Sequence, residues 1–233
     1  MTIIPSSTNL REAARLSRET FRIVLASQSP RRRQLLHDSG FRFDVLPARE
    51  GAETLDAQSP LDPTSLVLTF ARKKAADVVE QLRARGDRAK SRATLVLACD
   101  SVAECQGETL GKPRDREDAE RMLRTLSGSI HYVRTGVAIV PVDDEDEQRL
   151  QPFFFVESSA LIMERLSEER LVGYLDSGLW RGKAGAFGYQ DGNDWLKLLG
   201  GSESNVVGLP LEAVALAVMR YADDLSNPGQ VSL

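Results

Sequence analysis

The sequence predicts an α/β protein in which helices pack on a β-sheet. Two continuous apolar runs, at residues 23–26 and 95–99, are typical of strands buried on both faces. Between them, Asp62-Pro63 begins a long helix that runs to about residue 84. Because strand and helix patterns alternate along the chain, we expect a sheet covered by helices, with no linker that separates independent domains.

The other elements are predicted from capping residues and breakers. We expect four further helices: residues 9–19, a helix capped by Asp115 and ended by Gly128, a helix from Ser167 to 175, and a last helix from 209–210 to about 221 that is followed by a frayed tail. Two further strands are expected over 132–140, where Pro141 stops the strand, and over 153–163, and a turn is expected at 106–107. The predicted organisation is an N-terminal extension (1–20), one domain (21–222) and a C-terminal tail (223–233).

Composition excludes several classes of protein. The chain has 233 residues and a net charge of −4, whereas a general nucleic-acid binder is usually basic. No apolar run is long enough to cross a membrane, and the first residues have no uninterrupted apolar segment like that of a secretory signal. The two cysteines, Cys99 and Cys105, have neither disulfide-framework density nor zinc-site spacing, so we expect a cytoplasmic protein.

A cluster of arginines follows the first buried strand. Ser29 and Pro30 are typical of a helix start, and Arg31, Arg32 and Arg33 fill the first turn. Cations are disfavoured there by roughly 0.3–1 kcal/mol each, because the helix N-terminus carries partial positive charge. The arrangement fits a phosphate-binding site, and a solvated basic turn remains the alternative.

Three further charged residues are candidates for a site. Asp100 follows the apolar run 95–99, and ligands of α/β sheets gather beyond the carboxyl ends of strands. Lys74 lies on the apolar face of the long helix, four residues from both Phe70 and Val78. Lys112 lies on a glycine-proline turn. The alternatives are a capping aspartate, a lysine that reaches water along its aliphatic stem, and an exposed turn lysine.

Familiar catalytic motifs are missing from the sequence. There is no Walker-type loop, no GxGxxG fingerprint and no Gly-x-Ser-x-Gly elbow that would pair with His37 or His131. The remaining candidates are the anion site at the arginines, the carboxylate of Asp100, and the lysines Lys74 and Lys112. Together they fit polyphosphate chemistry with a divalent metal.

Six segments in order resemble the Maf family, the septum-formation-inhibitor-like nucleotide pyrophosphatases. They are LASQSPRRRQLL (25–36), ARKKA (71–75), LACDSVAECQGETLGKP (97–113), AERMLRTLSGSIHYVRTGVAIV (119–140), KAGAFGYQ (183–190) and SNVVGLPLE (204–212). The resemblance implies hydrolysis of nucleoside triphosphates to monophosphate and pyrophosphate with Mg²⁺ or Mn²⁺. It also implies a mixed sheet with flanking helices, two lobes around a deep nucleotide cleft as in inosine triphosphatases, and a possible homodimer.

The resemblance also implies roles for individual residues. It places Ser27, Arg31 and Arg32 at the triphosphate, Lys74 and Lys112 at the substrate, and Asp100 as the catalytic base or a metal ligand. The family's acidic metal ligand corresponds to Glu50 or Glu53, and we favour Glu53. Gln190 matches a glutamine typical of the branch that prefers dTTP and UTP, with a surface glutamine as the alternative.

Two departures from the family pattern bear on these roles. Ser101 replaces the usual threonine after the aspartate and keeps a hydroxyl, while Asp191 stands after Gln190 where glycine is common. Two other functions remain open: a nucleotide-binding regulator of cell division with weak or no catalysis, and a phosphatase that cleaves the terminal phosphate. The inorganic product distinguishes the three functions.

Overall fold

The computed structural model describes residues 7–51, 62–87, 92–142 and 150–227. The helices are α1 (Ser7–Glu19), α2 (Pro30–Asp38), α3 (Pro63–Ala84), α4 (Arg116–Leu126), α5 (Glu168–Ser177), α6 (Glu203–Val207) and α7 (Leu211–Ser226). The strands are β1 (Phe21–Leu25), β2 (Phe43–Val45), β3 (Ala93–Cys105), β4 (Glu108–Leu110), β5 (Ile130–Val142), β6 (Phe153–Met163) and β7 (Leu196–Gly200).

The described strands form one mixed sheet in the order β2-β1-β3-β5-β6-β7, with β4 paired to β3. Strand β1 runs parallel to β2 and β3, and the other pairs are antiparallel. The prediction of a mixed α/β sheet with flanking helices is therefore confirmed. No helix in the described ranges is long and apolar enough to cross a membrane.

The long strands β3, β5 and β6 connect two lobes. In the first lobe, alternate residues of β1 and β3 face α1 and α7 on one side, and α3 on the other. This two-sided burial explains why their sequences are continuous apolar runs. In the second lobe, the far halves of β3 and β5 share a core with α4, α5 and the segment around Trp180 and Phe187.

A glycine permits the close approach of α3 to the sheet. Gly136 on β5 pairs with Asp100 on β3, and a Cβ at Gly136 would clash with the backbone of Val67 on α3. The helix therefore packs on the sheet at the level of Asp100. Lys74 lies two turns further along the same helix.

Several predicted boundaries were wrong. Strand β3 does not end at residue 99 but continues to Cys105, so Asp100 lies within the strand. Strand β5 does not stop at Pro141, because the pairing with β6 ends at Ile139 and the missing N–H of Pro141 interrupts no ladder on that side. Helix α7 continues to Ser226, and strands β2, β4 and β7 were not predicted.

Helix α1 begins at Ser7, two residues before the predicted start, and it packs against α7. Its residues Ala13, Ala14 and Leu16 belong to the same buried cluster as Phe21 and Tyr221. The division into extension, domain and tail stays a prediction, and residues 1–6 and 228–233 lie outside the described residues.

Candidate active site

A cleft of ≈ 600 Å³ lies between the lobes. The N-terminus of α2, the middle of β3 and one face of α3 form its first wall, together with residues 48–51. The segment 181–190 and the turn with Lys112 form the opposite wall, and residues 206–208, of which Gly208 contacts Arg32, complete the lining. Leu97 of β3 pairs with Leu25, the last residue of β1, and Asp100 lies three residues further along β3. The cleft therefore begins where β1, the parallel neighbour of β3, ends.

The N-terminus of α2 opens on this cleft with the predicted cap. The side chain of Ser29 accepts a hydrogen bond from the backbone N–H of Arg32, and Pro30 occupies the first helical position. The hydroxyl of Ser27 is buried and accepts from the backbone N–H of Ser29 at 3.2 Å. Both serines therefore order the turn that precedes the arginines.

Arg31 crosses the cleft from α2 to the opposite wall. Its Nη2 donates to the carbonyl of Gly182 at 3.0 Å, and its side chain lies half-buried. Burial, followed by the charge of neighbouring Arg32, lowers the pKa of Arg31 from its ordinary value. A nearby anion would raise this pKa again, because it stabilises the charged guanidinium.

Arg32 points instead into the structure around Asp100. Its Nε donates to the carbonyl of Gly208 at 2.7 Å, and Nη1 donates to the carbonyl of Cys99 at 2.9 Å and to the Ser27 hydroxyl at 3.3 Å. Its Nη2 donates to the Ser101 hydroxyl at 3.0 Å. The guanidinium thus joins α2, β3 and the turn before α7, and it contacts both neighbours of Asp100, the carbonyl of Cys99 and the side chain of Ser101.

Lys74 and Asp100 form an ion pair at the floor of the cleft. Lys74 Nζ lies 2.7 Å from Asp100 Oδ1, and the two side chains are 9% and 15% exposed. Lys74 Nζ also donates to the carbonyl of Cys99 at 3.4 Å. Lys74 therefore reaches a polar cleft from the apolar face of α3, rather than water.

The structure brings most of the predicted site residues together. Ser27, Arg31, Arg32, Lys74, Asp100, Lys112 and Gln190 all line the cleft, although Lys112 and Gln190 are exposed on its rim. Glu50 also lines the cleft, whereas the favoured Glu53 lies outside the described residues. The individual roles stay predictions.

Sequence reasoning missed a buried pair in the second wall. Lys183 Nζ donates to Asp191 Oδ1 at 2.6 Å and also contacts Oδ2. The hydroxyl of Tyr174 donates to Asp191 Oδ2 at 2.9 Å. The sequence offered a signal for each residue. Asp191 departs from the family pattern, and Lys183 is the first residue of the family segment KAGAFGYQ.

The charge of the cleft is opposite to that of the chain. Seven cationic side chains line it: Arg31, Arg32, Arg49, Lys74, Lys112, Arg181 and Lys183. Only two carboxylates, Glu50 and Asp100, are among the described lining residues. Arg49 pairs with Asp77 and Glu80, and Lys183 pairs with Asp191, so the cations that remain set the charge of the cleft. In a protein of net charge −4, this remaining excess of cations fits an anionic ligand.

The carboxylates of the cleft fit a substrate-bridging metal rather than a metal cage. Among the described residues, no group of three or more His, Cys, Asp or Glu side chains is arranged to hold a metal ion. Mg²⁺ commonly binds through one or two carboxylates, waters and substrate phosphates. With Asp100 and Glu50 as the carboxylates of its described lining, the cleft fits this mode of binding.

Comparison with known proteins identifies the family. The model of the Maf-like protein family matches residues 22–221, and the chain therefore belongs to this family. A dTTP/UTP pyrophosphatase from Rhodopirellula baltica is 49% identical over 88% of this chain and 86% of its own length. A dTTP/UTP pyrophosphatase from Anaeromyxobacter dehalogenans is 40% identical over 85% of this chain and 93% of its own length.

Two further similarities differ in extent. A probable bifunctional dTTP/UTP pyrophosphatase/methyltransferase protein of Homo sapiens is 39% identical over 82% of this chain, but over only 30% of its own length. Among solved structures, a HAM1 protein from Coxiella burnetii aligns with 86% of this chain at 15% identity and a TM-score of 0.44.

Proposed function

We propose that this protein is a nucleoside triphosphate pyrophosphatase that converts dTTP and UTP to the monophosphate and pyrophosphate. The observation that carries the proposal is a cation-lined cleft with the Lys74–Asp100 pair at its floor. Relatives named dTTP/UTP pyrophosphatase, which align over most of their length, support the same activity.

The triphosphate is held by the first wall and the rim of the cleft. Arg31 offers a guanidinium whose protein partner is a neutral carbonyl, so phosphate oxygens compete well for it. Lys112 is exposed on the rim, where it reaches a phosphate without loss of a described bond. Ser27 and the remaining N–H groups of α2 add neutral donors at a helix N-terminus.

Asp100 is the group that acts on the attacking water. Oxygen from water forms a bond to the α-phosphorus, the α–β bridging bond breaks, and pyrophosphate leaves. Asp100 accepts the proton of that water, or would serve as a ligand of a divalent metal, while Lys74 fixes the carboxylate through the 2.7 Å contact. A Mg²⁺ or Mn²⁺ ion held by Asp100 and by either Glu50 or Glu53 would supply positive charge that neutralises phosphate oxygens and favours ionised water.

Gln190 recognises the base. It lies on the cleft rim in a 3₁₀ turn, Tyr189–Asp191, on the wall opposite the arginines. Its amide offers a donor and an acceptor, which match the O4 and N3–H groups of uracil and thymine. Discrimination against purines requires that the larger purine ring place its own donor and acceptor out of reach of this amide, because polar groups left unpaired in this way lower kcat/KM strongly.

The decisive test is analysis of the inorganic product. Purified protein with dTTP and Mg²⁺ should release pyrophosphate and dTMP, and excess chelator should stop the reaction. Orthophosphate as the only inorganic product would indicate the phosphatase, and binding without turnover would indicate the regulator.

Replacement of Asp100 tests the catalytic assignment. Asp100→Asn keeps the shape of the side chain and removes its charge, so turnover should fall by roughly 10²-fold or more. Asp176→Asn is the matched control, because Asp176 pairs with Arg116 on the protein surface. Normal turnover of a folded Asp100→Asn variant would contradict the assignment.

The cytoplasmic location, the homodimer and the lack of nucleic-acid or membrane partners stay predictions. They rest on the composition of the chain and on the family resemblance.

A further inference from the structure

The turn that carries Gln190 is fixed at both ends by side-chain hydrogen bonds. Gln190 is the exposed middle residue of the turn Tyr189–Asp191. On one side, the hydroxyl of Tyr189 donates to Glu203 on α6 at 3.0 Å. On the other side, the carboxylate of Asp191 accepts hydrogen bonds from Lys183 and Tyr174.

The two anchors differ in burial. Tyr189–Glu203 is a surface contact, and contacts of this kind contribute little stability in water. In contrast, the side chains of Lys183 and Asp191 are 11% and 12% exposed, and Tyr174 is buried with its ring edge-on to Trp195. The Asp191 anchor therefore dominates the placement of the turn.

The backbone beneath this anchor is also fixed. The amide of Gly188 donates to the Tyr174 hydroxyl at 3.1 Å, and the side chain of Asn193 donates to the Gly188 carbonyl at 3.1 Å. A Cβ at Gly188 would clash with both Asp191 Oδ2 and Lys183 Nζ, so the ion pair lies directly against this glycine. The amide and the carbonyl of Gly188, two residues before Gln190, are thus both hydrogen-bonded to side chains.

The preceding part of the loop is tied to the rest of the cleft. The amide of Gly185 donates to the carbonyl of Gly111, next to Lys112, at 3.0 Å. Arg31 contacts the carbonyl of Gly182, one residue before Lys183. The first part of the loop 182–191 is therefore held beside Lys112 and Arg31, and its last part is held by the contacts of Asp191.

We infer that Asp191 is a positioning residue for base selectivity: with Lys183 and Tyr174 it fixes the turn that presents Gln190 to the nucleotide base. The inference rests on the proposed function, because it presupposes that Gln190 meets the base. It also assigns Lys183 to the loop rather than to the phosphates, since Asp191 already neutralises its charge.

The test compares base selectivity, measured as the ratio of kcat/KM for pyrophosphate release from dTTP to that from ATP. Asp191→Asn keeps the size of the side chain but removes the charge that pairs with Lys183. A displacement of about 1 Å can cost roughly 10²-fold, so we expect the ratio to fall by at least roughly tenfold. The loss should be confined mainly to dTTP.

A second variant preserves the ion pair. Tyr174→Phe keeps the ring packing against Trp195 and removes only the hydroxyl that joins Asp191 to the Gly188 amide. It should shift the ratio in the same direction by a smaller factor. If Asp191→Asn does not fold because Lys183 is left buried and unpaired, Tyr174→Phe decides the question.

Asp194→Asn is the matched control. Asp194 lies three residues further on, its side chain is 74% exposed, and it pairs with Arg170 on the surface. The ratio should stay at the wild-type value. Amide hydrogen exchange of the peptide covering 183–192 gives an independent measurement, and exchange should be faster in Asp191→Asn and Tyr174→Phe but not in Asp194→Asn.

The outcomes separate the inference from the proposed function. A wild-type preference for dTTP that persists unchanged in the folded variants overturns the positioning role alone. An equal loss on dTTP and ATP, without a change in their ratio, also overturns it, because it indicates a purely structural role. A wild-type protein that cleaves dTTP and ATP equally well contradicts both the base preference and the positioning role.

Discussion

Arg31 and Arg32 are adjacent in the sequence but have different surroundings. The family resemblance predicts one role for both, as ligands of the triphosphate. In the structure, Arg31 contacts one backbone carbonyl across the cleft, whereas Arg32 donates to four protein acceptors around Asp100. The first is therefore available to a substrate, and the second is already part of the fold.

Alanine substitutions should separate these two roles. Arg31→Ala should raise KM for dTTP and leave the melting temperature nearly unchanged. Arg32→Ala removes several hydrogen bonds from a charged donor, so it should lower stability by roughly 2 kcal/mol or more, about 4–8 °C in melting temperature. Thermal melts and steady-state kinetics check both effects, and equal melting temperatures for the two variants would contradict the distinction.

His131 makes the stability of the protein depend on pH. It is fully buried beside Phe187, its Nε2 has no hydrogen-bond partner among the described residues, and burial lowers its pKa to about 4. An unfolded histidine has a pKa of about 6.5, so between these values the unfolded chain binds a proton that the folded protein excludes. The free energy of unfolding therefore decreases as pH falls through this window.

The expected contribution of His131 is a loss of roughly 1 kcal/mol between pH 7.5 and pH 5.5. Urea unfolding at the two pH values measures it. His131→Leu should lose less stability than the wild type over this interval, whereas His37→Gln should behave as the wild type, because the His37 side chain is 79% exposed. An identical loss in His131→Leu would show that other groups cause the effect.

At the scale of elements, the packing of α3 on β5 determines the position of Lys74. A methyl group at Gly136 would meet the Val67 backbone, which cannot rotate away as a side chain can. Gly136→Ala should therefore cost about 1–3 kcal/mol, and it should reduce turnover because the displaced helix carries Lys74. Denaturation and pyrophosphate release measure the two effects.

Gly173→Ala is the control for this substitution. Gly173 is exposed within α5, and a Cβ there would meet nothing within 4 Å. Because alanine is the better helix former, this variant should gain roughly 0.5–1 kcal/mol with unchanged activity. A tolerated Gly136→Ala with full activity would show that α3 can shift without effect on the site.

At the scale of the whole molecule, a net negative chain encloses a positively charged cleft. Long-range attraction therefore favours binding of a triphosphate, and salt weakens it because the Debye length falls from about 10 Å at 0.1 M to about 3 Å at 1 M. KM for dTTP should rise several-fold between about 0.05 M and about 0.5 M KCl at constant free Mg²⁺, with a smaller change in kcat. In Arg31→Ala this salt dependence should be weaker. A KM independent of salt would argue against electrostatic binding.

Local patterns in the sequence determined the α/β class, the caps of α2, α3, α4 and α5, and strand β6 to the residue. These features depend on neighbours within a few residues, so they can be read from the chain. Most of the site residues that the family pattern selected also line the cleft. A motif identifies these residues by their position in the sequence, so their contacts need not be known.

Only the tertiary structure decided which partner each of these residues has. Asp100 lies inside a strand because β5 extends the ladder beyond β1, and no local signal reports the length of a distant strand. Arg32 differs from Arg31 because three of its four acceptors belong to residues that are far away in the sequence, by 67 to 176 positions, and only Ser27 is nearby. Likewise, the Lys183–Asp191 pair depends on how the loop folds over Gly188 and Tyr174. Hydrogen bonds between distant segments form only when the chain is packed, and the local sequence carries no record of them.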